Sequence, residues 1–286
     1  MVGVATKVRS AGRFLHRSQW LPPVVAQLGL GFALVALTGC SLFLGPTPTP
    51  IPTLASPLSA SGRADTLVVF LRGRGGSIAD FEKQGLLPAL REAGVRADTI
   101  VVDAHLGYYF NRTAIIRLQA DVLVPARQQG YRRIVLVGVS LGGLGSLLCE
   151  RDNPGSVDAL VLLGPYLGEQ DRFFDKIEQA GGLAAWAAGR DPQAGGIEEQ
   201  IWTFLGTKSA TLPPTWLLSG RADPYARGHR LFAGLLPTTR VATRAGGHDW
   251  PVWRALWRDV CFESELFQAE RAGGKPAAPP HTNPTR

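Results

Sequence analysis

The sequence predicts an α/β protein: a mostly parallel sheet of about six strands, helices on both faces and a small helical cap. Three observations carry this. Short apolar runs recur at Thr66–Leu71, Thr99–Val102, Ile134–Val139, Ala159–Leu163, Thr215–Ser219 and Arg240–Thr243, with helical patterns between most of them. That alternation is what strands joined by crossover helices produce. The run Ile134–Val139 is rich in β-branched residues and uncharged, as a strand covered on both faces should be. Residues 168–213 then hold three helical candidates, Gln170–Gln179, Leu183–Ala188 and Glu198–Leu205, joined by Gly-rich turns. That is more chain than a minimal crossover needs, and it reads as a cap inserted between two strands.

Taken in order, the chain opens with a segment of a different kind. Lys7, Arg9, Arg13 and Arg17 precede Cys40 and no Asp or Glu does. Val24 to Leu37 is apolar apart from Gln27, and Leu37-Thr38-Gly39-Cys40 follows. A basic stretch followed by an apolar one is the layout of an export signal. The tetrapeptide resembles the lipobox of bacterial lipoproteins, which implies a signal peptide over 1–39 and a diacylglyceryl thioether on Cys40. Ser41 resembles an outer-membrane sorting signal, so the implied location is the bacterial cell envelope, on the outer membrane facing the periplasm. The rival is an uncleaved anchor. Val24 to Leu44 approaches the roughly 20 residues needed to span a bilayer, although Gln27, Thr38, Cys40 and Ser41 dilute it. Of the net charge of +7, four charges belong to this leader. The +3 left, scattered and mostly Arg, forms no stripe, and no nucleic-acid partner is expected.

Residues 40–61 carry the lipidated Cys and a Pro-rich linker. Alternating Pro over 45–58 forbids helix and favours an extended stalk. A domain is expected over 62–270, and a disordered tail over 271–286. Within the domain, Ser77-Ile78-Ala79-Asp80 resembles a capping box opening a helix. Thr113–Gln129 is helical in pattern, with Pro125 awkward inside it. Val252, Trp253, Leu256, Trp257, Val260 and Cys261 share one face of a last helix, and this aromatic stripe reads as core packing.

The chemistry-bearing residues gather at strand ends. Gly138-Val139-Ser140-Leu141-Gly142 follows a strand run and matches G-x-S-x-G. A serine on so sharp a strand-to-helix turn is strained, and its neighbours two residues away must be small. Ser140 is therefore the candidate nucleophile. Arg221-Ala222-Asp223 follows Thr215–Ser219, and Gly246-Gly247-His248 follows Arg240–Thr243. Parallel sheets place ligands at these C-terminal ends. His105 and Asp103 also follow a strand and stand as a rival base and a rival acid. His229 is expected on the surface, and Asp249 is expected to cap the helix around Pro251.

The order Ser140, Asp223, His248 resembles the triad of the α/β-hydrolase superfamily, over residues 62–268. The resemblance implies that Ser140 is the nucleophile, His248 the base and Asp223 its orienter. Leu71-Arg72-Gly73-Arg74-Gly75-Gly76 resembles the loop that in many relatives reads His-Gly before an oxyanion donor. It implies backbone donors at Arg74 and Leu141. Arg72 stands where relatives often carry His, which puts the loop's supporting hydrogen bonds in question but not a main-chain donor. In this fold Cys149 and Cys261 resemble positions on opposite faces of the sheet, where a disulfide is geometrically barred. No metal-ligand spacing, G-x-G-x-x-G or P-loop occurs, so no cofactor is expected.

The implied activity is that of a serine hydrolase, a carboxylesterase or lipase-like enzyme acting on a carboxylic ester or thioester. Its partners would be a small-molecule or lipid ester substrate and the membrane, through the lipid anchor. Oligomeric state is not readable. An envelope acyltransferase using the same triad, and a non-catalytic binding lipoprotein of this fold, are the alternatives.

Overall fold

Each of the six apolar runs forms a strand, and a seventh strand joins them. The computed structural model describes residues 45–57, 63–169 and 171–271. The signal segment 1–39, Cys40, Gln170 and the tail 272–286 lie outside the described residues. The strands are β1 (Thr53–Ser56), β2 (Thr66–Leu71), β3 (Ala97–Val102), β4 (Arg133–Val139), β5 (Ala159–Leu163), β6 (Thr215–Gly220) and β7 (Val241–Arg244). They lie in the order β1-β3-β2-β4-β5-β6-β7. All pairings are parallel except β1 with β3.

Alternation along each strand divides the core into two layers. In β4, Ile134 and Leu136 face one layer and Val135, Val137 and Val139 the other. The first layer is covered by α3 (Leu106–Phe110), α4 (Ala114–Leu118), α5 (Val124–Gln128), α6 (Leu141–Asp152), α7 (Asp171–Gln179), α8 (Leu183–Ala187), α9 (Ile197–Lys208) and α10 (Ala226–Ala233). The second is covered by α1 (Asp80–Lys83), α2 (Leu86–Glu92) and α11 (Trp250–Glu263). There Trp257 is fully buried against Phe70 and Phe267, and its indole N–H donates to Leu86 O at 2.9 Å. Cys149 belongs to the first layer and Cys261 to the second, and both are free thiols.

Two local readings resolve in physical terms. Pro125 is accommodated because the helix widens ahead of it. Residues Gln119–Leu123 form a π segment between α4 and α5, which relieves the clash of the proline ring with the preceding turn. At Ser77, the Asp80 carboxylate accepts the Ser77 N–H at 2.6 Å, but the helix itself starts at Asp80 after Ala79 and no side-chain cap bond forms there.

The expected stalk requires correction. The segment 46–56 lies on the domain and ends as an edge strand. Proline has no N–H to give, but its carbonyl still accepts. Pro46 O accepts from the His105 ring at 2.9 Å, Pro48 O from the Tyr108 hydroxyl at 2.7 Å, and Pro52 O from Asp103 N–H at 2.9 Å. Ile51 buries its side chain and donates its N–H to Asp121 Oδ2 at 2.8 Å. Ile51→Ala should therefore lower stability by about 2–4 kcal/mol in urea unfolding. It should also expose residues 46–56 to limited proteolysis while the rest of the domain stays protected.

Candidate active site

β4 passes into α6 with only Ser140 between them. Ser140 has φ +53° and ψ −112°. A non-glycine residue held there costs about 1–3 kcal/mol and persists only when its surroundings impose it. Main-chain bonds help to do so. Ser140 N–H donates to Leu163 O, and Ser140 O accepts from Gly143 N–H and Tyr166 N–H, each at 2.9 Å. The flanking glycines have a steric cause. A Cβ on Gly138 would sit 2.3 Å from Gly142 O, and one on Gly142 would sit 2.2 Å from Leu71 O. Only bare backbone lets strand, turn and the 71–76 loop cross this closely.

β6 delivers the acid and β7 the imidazole. A Cβ on Gly220 would meet Gly247 O at 2.3 Å, so the two loops touch backbone to backbone. Asp223 is buried; its Oδ1 accepts Tyr225 N–H at 2.9 Å and its Oδ2 lies 2.8 Å from His248 Nδ1. His248 Nε2 is 2.8 Å from Ser140 Oγ. A carboxylate only accepts, so Nδ1 carries the proton and Nε2 presents its lone pair to the serine hydroxyl. The imidazole is fixed edge-on between two rings, Trp253 at 4.8 Å and Tyr225 at 5.0 Å between centroids. Burial pushes the Tyr225 hydroxyl upward, with Glu169 adding to the shift, which keeps it protonated.

A cavity of about 720 Å³ opens over Ser140. Gly73, Arg74, His248, Tyr225 and Trp250 are among its walls. Arg74, one of the two expected oxyanion donors, thus lines the cavity beside the serine. Leu141, the other, heads α6, where the first N–H groups of a helix have no intrahelical acceptor.

The rivals are otherwise engaged. His105 caps α3, its Nδ1 accepting from Gly107 N–H at 3.1 Å and its Nε2 donating to Pro46 O. Asp103 pairs with Arg72 Nη1 at 2.5 Å. Arg72 therefore spends its charge on a neighbouring carboxylate. Asp249 caps α11 by accepting Val252 N–H at 3.1 Å.

Three residues here escape the sequence reading. Gly164 follows β5 at φ +52°, and a Cβ there would lie 2.7 Å from Trp253 Nε1 and 3.1 Å from Asp223 Oδ2. Its signal was the Gly-Pro pair after a strand run. Trp253 belongs to the core as expected, yet it also packs on His248 and lines the cavity. His229 is the clearest correction: it is 3% exposed, and its Nε2 donates to Pro165 O at 2.8 Å. It falls on the inner face of α10, and Nδ1 finds no partner among the described residues.

Gly164→Ala should slow fluorophosphonate labelling of Ser140 about 100-fold, since a small displacement of the His–Asp pair is costly, with the circular dichroism spectrum retained. Burial lowers the His229 pKa below the usual imidazole value of about 6.5. Below that pH the unfolded chain takes a proton that the folded chain refuses. Stability should thus fall as pH drops from about 6.5 toward the folded pKa and should be unaffected above it. Urea unfolding at pH 5 and pH 8 tests this, with His229→Gln expected to flatten the difference.

A family model described as alpha/beta hydrolase fold matches residues 66–196. Similar solved structures include S-formylglutathione hydrolase from Staphylococcus aureus, 12% identical over 76% of this chain and 98% of that one, with a TM-score of 0.49. Est1E from Butyrivibrio proteoclasticus is 15% identical over 75% of this chain and 93% of that one, with a TM-score of 0.49. A Pyrobaculum calidifontis esterase is 14% identical over 83% and 91%, with a TM-score of 0.45. No curated protein matches the sequence. Strand order, the sharp turn at Ser140 and the matched family model together give this chain the α/β-hydrolase fold.

Proposed function

We propose that the protein is a serine ester hydrolase, cleaving a carboxylic ester or thioester through Ser140, His248 and Asp223. The single observation that carries the reading is the unbroken relay from Ser140 Oγ to His248 Nε2 and from His248 Nδ1 to Asp223 Oδ2, each step 2.8 Å. In this reading His248 removes the hydroxyl proton as Ser140 Oγ attacks the substrate carbonyl. Asp223 stabilises the imidazolium that forms, and its burial keeps water from competing for the bond. The backbone N–H groups of Arg74 and Leu141 receive the developing oxyanion; each such donor is worth about 10²–10³ in rate. His248 returns the proton to the leaving alcohol or thiol. Water, deprotonated by the same imidazole, then releases the acid from Ser140.

The remaining parts of the reading rest on sequence. Residues 1–39 act as a lipoprotein signal peptide and Cys40 as the lipidated first residue, tethering the domain to the bacterial envelope. Among the described residues no helix is long and apolar enough to cross a membrane. The helices α7–α9 between β5 and β6 serve as the cap.

Ser140→Ala and His248→Ala should each lower ester turnover by about 10⁴–10⁶, and Ser140→Ala should abolish fluorophosphonate labelling. His105→Ala should leave turnover within about threefold, because its ring serves the chain at Pro46. Wild-type protein that folds but neither labels nor cleaves graded acyl esters would overturn the enzyme reading. Cys40→Ser should abolish incorporation of radiolabelled palmitate in cells.

A further inference from the structure

We infer that the catalytic end of the sheet faces a lipid bilayer, seated there by Phe110, Ile116 and Arg112. This rests on the lipid-anchor reading above and adds to it an orientation and a contact surface. The argument begins with strand direction. β1 is antiparallel to β3, with Thr53 opposite Val102 and Ser56 opposite Thr99. The chain before Thr53 therefore lies beyond the C-terminal end of β3. Leu71 of β2 is level with both Val102 of β3 and Gly138 of β4, so that is also the end at which Ser140 emerges. β1 and β4 are three strand spacings apart, roughly 15 Å. A tether running into the domain at Pro46 thus arrives on the catalytic side.

The tether is fixed where it arrives. Pro46 and Pro48 are held by His105 and Tyr108, and Thr47 Oγ1 accepts from Asn111 Nδ2 at 3.2 Å. All three donors sit on α3 or its two caps. Beside them stands the most exposed large apolar side chain among the described residues, Phe110 at 72%. Ile116, in the short α4 that follows, is 59% exposed. Arg112 lies between them, exposed, at φ +57°, and among the described residues it makes no ion pair. Exposed aromatic and aliphatic side chains two and four residues from an exposed guanidinium suit the headgroup boundary of an anionic bilayer. The length of chain outside the description supports the same occupant. On the lipoprotein reading Cys40 is the first mature residue, six positions before Pro46. From Cys40 to Pro46 an extended chain reaches about 20 Å, so a lipid on Cys40 keeps α3 near the membrane surface.

The test uses the protein as processed in cells, extracted from their membranes and reconstituted into phosphatidylethanolamine–phosphatidylglycerol vesicles. An environment-sensitive fluorophore is placed at Phe110→Cys, and separately at Arg132→Cys, whose exposed side chain precedes β4 at the opposite end of the sheet. The parent protein, whose Cys149 and Cys261 are buried, supplies the background. The Phe110 site should brighten at least about twofold and shift to the blue on vesicles, while the Arg132 site stays unchanged. Protein that enters vesicles with equal or no response at the two sites would overturn the orientation alone. Protein that does not enter vesicles at all would overturn the anchor reading, and the orientation with it.

Discussion

The molecule depends on one steric crossing, the approach of Gly138, Gly142 and the Leu71 carbonyl around Ser140. Each glycine there meets backbone oxygen closer than any side chain allows. The strained turn at Ser140 is a consequence of that crossing rather than an independent feature. A strand that must pass directly into a helix, under a loop from the neighbouring strand, has no room for a relaxed connection. The strain is offset by the two fully buried apolar layers on either side of β4. Because β4 is central, neither layer can relax without unpairing β2 or β5.

The same economy recurs beneath His248 and Asp223. Gly164 continues β5 with a left-handed residue, and its missing Cβ is the space that Trp253 and the His248–Asp223 pair occupy. The next two residues reach in opposite directions. Pro165 offers its carbonyl to His229 on α10, and Tyr166 gives its N–H to Ser140 O while its hydroxyl donates to Glu198 of α9 at 2.7 Å. The stretch 164–166 thereby joins the turn at Ser140, helix α10 and helix α9, through its main chain to the first two and through the Tyr166 hydroxyl to the third. Partly buried contacts of this kind constrain geometry more tightly than exposed ion pairs, whose net worth is small.

This division between main chain and side chain explains what the sequence disclosed. The six strands were legible because a strand buried on both faces must be an apolar run. The seventh was not: Thr53–Ser56 is an exposed edge in a Pro-rich stretch, without alternation or apolar density. Ser140, Asp223 and His248 were legible as polar residues just past strand ends, and the structure brings those three within hydrogen-bond distance. Gly164 was hidden because a glycine's role lies in what others place where its side chain would be. His229 was misjudged because a polar residue on a helix is outward by default, and only the tertiary partner, Pro165 O, offsets its burial.

The docked N-terminal segment has a further structural logic. β3 would otherwise be the sheet's open edge, with unpaired N–H and C=O groups available to another chain. β1 covers it using few residues, since Pro carbonyls on one side of the segment satisfy donors from α3 and its caps without needing a ladder of their own. Closing a parallel sheet with a strand from the preceding segment forces that strand to run antiparallel unless a long crossover is inserted. The chain leading into β1 must then rise from the end where the strands finish. Edge protection and the end of the sheet from which the chain enters β1 are thus one constraint, set by the short distance in sequence between Ser56 and Thr66.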